Sequence, residues 1–260
     1  MERIDKKSRH EVSLIRQAAQ INAQAHMKVR EAIRPGISTL ELNNIAEAFI
    51  LASGGIPTFK GLYGFPATLC MSVYDEVVHG IPREDKILQE GDVISVDCGT
   101  TYKGMISDSA VTWPVGTIKP EVMALLKATE EGLLAGIAAM QPGNYLEDIS
   151  AAIEDVCKKH GYGLVRQYGG HGVGRKPHEA PFIHNFRTGE RGPRLEEGNV
   201  LAIEPMFNLG VDDVYTAEDD WTVITTDHLP SAHFEHTVVI TSNGPDILTA
   251  LPSVPISATF

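Results

Sequence analysis

An internal repeat constrains this chain more than any other feature. Glu90-Gly91-Asp92-Val93-Ile94-Ser95-Val96-Asp97 reads against Glu197-Gly198-Asn199-Val200-Leu201-Ala202-Ile203-Glu204, an offset of 204 − 97 = 107 residues. Pro35-Gly36 and Pro142-Gly143 keep that offset, each between two helix-like stretches, and Asp108 through Gly116 resembles Glu235 through Gly244. A period this long is not that of a solenoid. It predicts an α/β (α+β) fold made of two related halves, about 10–116 and 117–250, facing each other across a pseudo-twofold axis. A chain of 260 residues could hold one large domain or two small ones. No low-complexity linker divides the halves, so 1–250 reads as a single domain, and the Pro- and Ser-punctuated 251–260 reads as a loosely held tail.

Four acids recur in register within this repeat. Asp97, Asp108, Glu204 and Glu235 each open or close an apolar run: Val93–Asp97, Asp108–Val111, Val200–Glu204 and Phe234–Val239. A carboxylate embedded in such a run is buried, and burial is costly unless something positive pairs with it. Those runs contain no Lys or Arg. Asp97 and Asp108 taken singly could be turn residues closing a hairpin. Glu204, however, occupies the place of Asp97, and Glu has little turn preference, so ligation of metal explains the set better.

The periodicities place these acids. Leu14, Ala18, Ile21, Ala25, Val29 and Ile33 mark a helix face ended by Pro35-Gly36. Ser38 with Glu41 reads as a capping box for a second helix carrying Leu42, Ile45 and Phe49. Short strands follow from Cys70 to Pro82, then a hairpin of Val93–Asp97 and Asp108–Val115 whose turn contains Gly99 and Gly104. The second half repeats the order, with helices over about 120–140 and 145–159 and strands near 200–209, 221–226 and 233–241.

The histidines need sorting. His171 and His178 flank a loop containing Gly172, Gly174 and Pro177, a spacing unlike the HExxH helix. Neither GxGxxG nor GxxxxGK fits that segment, so its glycines more plausibly bring an imidazole close to metal than cradle a phosphate. His26, His160, His184 and His228 read as surface or cap residues, and His236 points to the strand face opposite Glu235. His79, before Gly80-Ile81-Pro82, would by itself more often be structural. Four carboxylates with one or two imidazoles suit Mn²⁺, Fe²⁺ or Co²⁺, with Zn²⁺ also compatible, and exclude a structural thiolate zinc site. Two divalent ions roughly cancel four carboxylates, acidify a bridging water and polarise a carbonyl, so dinuclear hydrolysis is the favoured chemistry.

The net charge of −12 argues against broad nucleic-acid or anionic-membrane binding. Three cysteines without CxxC spacing fit a reducing compartment. No signal-peptide pattern opens the chain and no apolar run reaches membrane-spanning length, so the expected location is cytoplasmic.

Seven motifs, in order, then resemble one family: Val77-Val78-His79-Gly80-Ile81-Pro82, Ser95-Val96-Asp97-Cys98-Gly99, Asp108-Ser109-Ala110, Gly170-His171-Gly172-Val173-Gly174-Arg175, His178-Glu179-Ala180-Pro181, Ile203-Glu204-Pro205-Met206 and Phe234-Glu235-His236-Thr237. From about residue 4 to 250 the chain is similar to type I methionine aminopeptidases. The resemblance implies the pita-bread fold with internal pseudo-symmetry, and removal of an initiator methionine from nascent proteins and peptides when the second residue is small. It implies that Asp97 chelates one metal and His171 the other, that Asp108 and Glu235 bridge, and that Glu204 binds the second metal while relaying a proton from the nucleophilic water. His178 would hydrogen-bond the substrate carbonyl or its oxyanion, and His79 would contact the scissile nitrogen. Phe65, Cys70 and Trp221 fall where relatives line the methionine pocket, with Phe59 and Leu62 as neighbours, although each also reads as ordinary core. Pro177 replaces a bulkier residue and Val78 stands where some members have Cys.

His178 and Glu204 are only 26 positions apart, which leaves no room for the helical insertion of type II enzymes, and no Cys/His-rich stretch precedes residue 10. A short bacterial-type enzyme, a monomer with transient ribosome contact, is the expectation. Prolidase and aminopeptidase P normally carry an N-terminal domain that residues 1–10 cannot hold, and creatinase-like enzymes lack the ligands. A non-catalytic binding module would be expected to have lost some of the five.

Overall fold

A computed structural model describes residues 4–250, so the 251–260 tail falls outside the described residues. Four helices follow the punctuation of the sequence. Ser8 caps α1 (Arg9–Ala32) and Ser38 caps α2 (Thr39–Ala52). In each capping box the serine hydroxyl accepts the backbone N–H of the glutamate three residues on, and that glutamate's carboxylate accepts the serine N–H. α3 (Pro120–Ala138) opens on proline, which has no N–H to leave unpaired, and α4 (Leu146–His160) stops at Gly161, whose φ of 74° favours glycine. Among the described residues no helix is long and apolar enough to cross a membrane.

A nine-stranded sheet, antiparallel at every pairing, joins the two halves of the sequence. Its central strand is Glu235–Thr241, which pairs with Met105–Pro114 on one side and Val200–Ile203 on the other. The hairpin is longer than the sequence suggests. Its strands are Val93–Tyr102 and Met105–Pro114, the turn is Lys103-Gly104, and Gly99 lies inside the first strand. Asp97 and Asp108 are therefore mid-strand residues and not turn residues. In the second half, strands at Val200–Ile203 and Met206–Asn208 are separated by Glu204-Pro205, and Ser231–His233 is separated from Glu235–Thr241 by Phe234.

Each helix pair covers its own part of the sheet. Ala25, Val29, Leu42, Ala46 and Ile50 of α1 and α2 pack on Leu69, Met71, Ile94 and Val96. Leu125, Leu126, Leu133, Ile149 and Ile153 of α3 and α4 pack on Leu201, Ile203, Phe207 and Val238. The buried face of α1 is wider than its apolar periodicity, because Asn22 and His26 belong to it. His26 is thus not a surface residue: it is 5% exposed and its Nε2 meets the Ser109 carbonyl at 3.0 Å. Asn22, fully buried, donates to the Cys98 carbonyl and accepts from the Ser109 hydroxyl, so one side chain ties α1 to both hairpin strands.

Candidate active site

Strand register alone brings the five proposed ligands to one face of the sheet. Residues opposite one another in a ladder project the same way, and projection alternates along each strand. Asp97 lies opposite Ala110, and Ala110 opposite Glu235. Asp108 is two residues from Ala110, so it shares that side. Thr237, two from Glu235, lies opposite Ala202, and Ala202 lies opposite His171. Glu204 is two residues beyond Ala202. Ala110 and Ala202 are small, which leaves room above the sheet for the larger groups around them.

These groups form the floor of a cavity of about 390 Å³ whose walls include His79, His178, His233, Phe59, Phe65, Cys70, Tyr168 and Trp221. Candidate ligand atoms of Asp108, His171 and Glu235 lie within 4.8 Å of one another. His171 Nδ1 is 2.9 Å from the Gly172 carbonyl, which assigns the proton to Nδ1 and leaves the Nε2 lone pair facing the cavity, 3.3 Å from Glu204 Oε1. His178 stands at the mouth, its ring 4.7 Å from that of His171 and edge-on to it. His79, held at a φ of 60°, is edge-on to Tyr168.

The electrostatics of this floor are lopsided. Burial pushes Asp97 up to about 7, with His233 opposing and Glu204 adding to the rise. Burial likewise drives Asp108, Glu204 and Glu235 far above the carboxylate range, and the neighbouring acids add to it for Asp108 and Glu235. Burial lowers His79 and His171 to about 4, and partial burial lowers His178. Among the described residues no Lys or Arg lines the cavity, and Asp97 Oδ1, Asp108 Oδ1 and Glu235 Oε1 are buried without a hydrogen-bond partner. Orphaned carboxylate oxygens converging with an imidazole lone pair suit hard or borderline divalent cations, and the residues present therefore fit such ions.

Phe65, Cys70 and Trp221 gather beside the acids in an apolar cluster with Phe59, Ala67, Leu62 and Ile81. The Phe65 and Trp221 rings meet edge to face at 5.1 Å. Cys70 lies opposite Asp97 in the ladder, which is why its side chain enters the cavity, and burial keeps it a neutral thiol. Val78 lines the cavity, whereas Pro177 is not among its lining residues. His236 turns away as expected, its Nδ1 2.7 Å from Thr249 Oγ1.

The sequence reading missed His233. It is 1% exposed, lines the cavity, lies 3.6 Å from Glu204 Oε2, and has neither ring nitrogen hydrogen-bonded among the described residues. A signal was available, since it precedes Glu235 by two residues. Tyr63, Tyr168 and Phe182, which also line the walls, carried none.

Residues 13–242 match the model of metallopeptidase family M24. The chain is 47% identical over 245 residues to the methionine aminopeptidase of Clostridium perfringens, covering 94% of this chain and 98% of that one. It is also 47% identical over 243 residues to methionine aminopeptidase 1 of Bacillus subtilis, with the same two coverages. The crystal structure of methionine aminopeptidase from Thermotoga maritima superposes with a TM-score of 0.93 at 39% identity, covering 95% of this chain and all of the other. The pita-bread fold is thereby shared, and the chain belongs to metallopeptidase family M24 and, within it, to the type I methionine aminopeptidases of bacterial kind.

Proposed function

We propose that this chain hydrolyses the peptide bond after an N-terminal methionine by means of two divalent ions held by Asp97, Asp108, His171, Glu204 and Glu235. One observation carries the reading: uncompensated buried carboxylates and an inward-facing imidazole share a cavity with an apolar aromatic cluster. When bound, Mn²⁺, Fe²⁺, Co²⁺ or Zn²⁺ would acidify a water and polarise the scissile carbonyl.

The chain's own groups do the rest. Glu204 accepts the proton of the attacking water at a carboxylate oxygen and returns it to the departing amine. His178 donates N–H to the carbonyl oxygen as negative charge develops there, and its partial enclosure at the cavity mouth shifts the ring towards the neutral form. His79, also neutral, faces the scissile nitrogen. Phe65, Cys70 and Trp221 bed the thioether, for which an apolar aromatic wall is a good match. Preference for a small second residue is the component carried by kinship.

Residues 1–250 would act as one catalytic domain of two related halves, about 10–116 and 117–250. The enzyme would work in the cytoplasm as a monomer on nascent-chain N-termini, with transient ribosome contact and no direct nucleic-acid specificity, in keeping with the net charge of −12. The test is dialysis against chelator, re-addition of each ion separately, and assay of Met-Ala-Ser against Met-Lys-Ser and Ala-Pro-Ser. Ion-dependent release of methionine from the first peptide alone is expected. Ion binding by calorimetry without release from any peptide would refute the proposal in favour of a binding module.

A further inference from the structure

The segment that precedes α1 reaches across the molecule to the turn that carries His178. Lys7 Nζ lies 2.5 Å from Glu179 Oε2, with the two side chains only 1% and 9% exposed. The other oxygen of Glu179 accepts the backbone N–H groups of Arg175 and Lys176, at 2.6 and 3.0 Å. Arg175 in turn pairs with Glu11, Nη2 to Oε1 at 2.6 Å. Lys7 is itself anchored, its N–H donating to the Gly198 carbonyl at 2.8 Å. Gly174, at a φ of 151°, makes room for the lysine: a Cβ there would come within 2.5 Å of Lys7 Cε.

An ammonium this buried is expensive, and its pairing with Glu179 repays that expense only if the geometry is kept. The pair lies beside the cavity and not in it, because neither partner is among the lining residues. Glu179, however, directly follows His178. The turn is tied at its Gly174 end to Ile106 and through Arg175 to Glu11, and Arg175, Lys176 and His178 are exposed, so Glu179 is the buried anchor at its far end.

We propose that Lys7 is a positioning residue: through Glu179 it fixes the 174–179 turn and thereby holds the His178 imidazole over the carboxylate floor. This rests on the role given to His178 above. The segment ahead of α1 then belongs to the catalytic apparatus, though it touches no reacting atom.

The test is a double-mutant cycle in the manganese-loaded enzyme, with backbone hydrogen exchange as a second measurement. Lys7→Met should speed exchange at the Arg175 and Lys176 amides. It should lower kcat on Met-Ala-Ser by on the order of 100-fold, the scale of a misplaced catalytic group, with manganese affinity unchanged by calorimetry. In a His178→Ala background, Lys7→Met should lower kcat no further. Independent, multiplying losses would overturn the proposal, as would unchanged exchange in the turn. If Lys7→Met does not fold because Glu179 is left unpaired, Lys7→Met/Glu179→Gln removes that charge and serves in its place. A His178→Ala enzyme with full turnover would refute the role of His178, while the exchange measurement still decides whether Lys7 clamps the turn.

Discussion

Removing the metal should make this protein's stability fall with rising pH above about pH 7. The cause is the four buried acids. A carboxyl whose pKa is raised on folding favours the folded state below its unfolded value, and that contribution is lost as pH rises through the folded value. For Asp97, between 3.8 and about 7, the loss is on the order of 4 kcal/mol at ~1.4 kcal/mol per pH unit. Buried histidines oppose this at lower pH. His26, His79, His171 and His236 are depressed to about 4, so their contribution is complete above about pH 7 and lost as pH falls towards 4. Between pH 4 and about 7 the two sets offset one another, and that window decides nothing. At 6.5 an unfolded histidine is still half protonated, so this opposition fades only above about pH 7, where the imidazoles are largely neutral in both states; below 8 the buried thiols are protonated in both. Only the carboxyls remain. Asp108, Glu204 and Glu235 are raised well beyond the ordinary range, and each one still protonated contributes ~1.4 kcal/mol per pH unit to the decline. From pH 7 to 8 the chelator-dialysed protein should therefore lose stability by urea unfolding at constant m. Manganese-loaded protein should not, because the ion keeps the acids charged in the folded state and its binding releases protons. Metal-free stability that is flat or rising across that window would refute the burial of ionisable acids on which the metal argument stands.

Three substitutions probe separate parts of the molecule. Glu204→Gln keeps the shape and removes the proton carrier, so kcat should fall by on the order of 100-fold or more while the peptide still competes as a ligand, and wild-type turnover would remove Glu204 from the mechanism. Trp221→Ala strips the edge-to-face partner of Phe65; KM for Met-Ala-Ser should rise roughly tenfold or more with kcat little changed, and an unchanged KM would place the methionine side chain elsewhere. Asn22→Ala leaves the Cys98 carbonyl and Ser109 hydroxyl without their partner and should cost about 2–3 kcal/mol, visible as a drop of several degrees in melting temperature; an unshifted midpoint would show that the α1 anchor carries no stability.

The burial of the four acids proposed as metal ligands was legible because the physics that buries them is written locally. An acid at the end of Val93–Val96 or Val200–Ile203 cannot avoid the sheet, and the 107-residue repeat told all four apart from chance turns. The ladder register then needed no further information, since period-two alternation fixes the face. The hairpin turn was misplaced because Gly99 looks like a turn glycine. Its real constraint is a neighbour, as a Cβ there would approach Phe59 Cε1 to 2.6 Å, and that contact is not local. His26 failed for a related reason: a helix face is read from apolar residues, and a histidine bonded to a strand carbonyl 83 residues away breaks the pattern without leaving the core. Lys7 and Glu179 are 172 apart, and no window on the sequence joins them.

The pseudo-symmetry also explains how one site came to have two unlike sides. Leu69–Val73 pairs antiparallel with the repeated strand of the first half, and Gly170–Gly172 pairs antiparallel with that of the second. They occupy equivalent places, yet one brings Cys70 opposite Asp97 and the other brings His171 opposite Ala202. The first strand continues the apolar cluster of Phe59 and Phe65, while the second leads through glycines to His178. The repeated segments thus carry the acids, two in each half of the sequence. The contrast between an apolar aromatic wall and a rim that presents imidazoles arises in segments that do not match across the 107-residue offset. Substitutions in 59–70 should therefore act mainly on KM and those in 171–179 mainly on kcat.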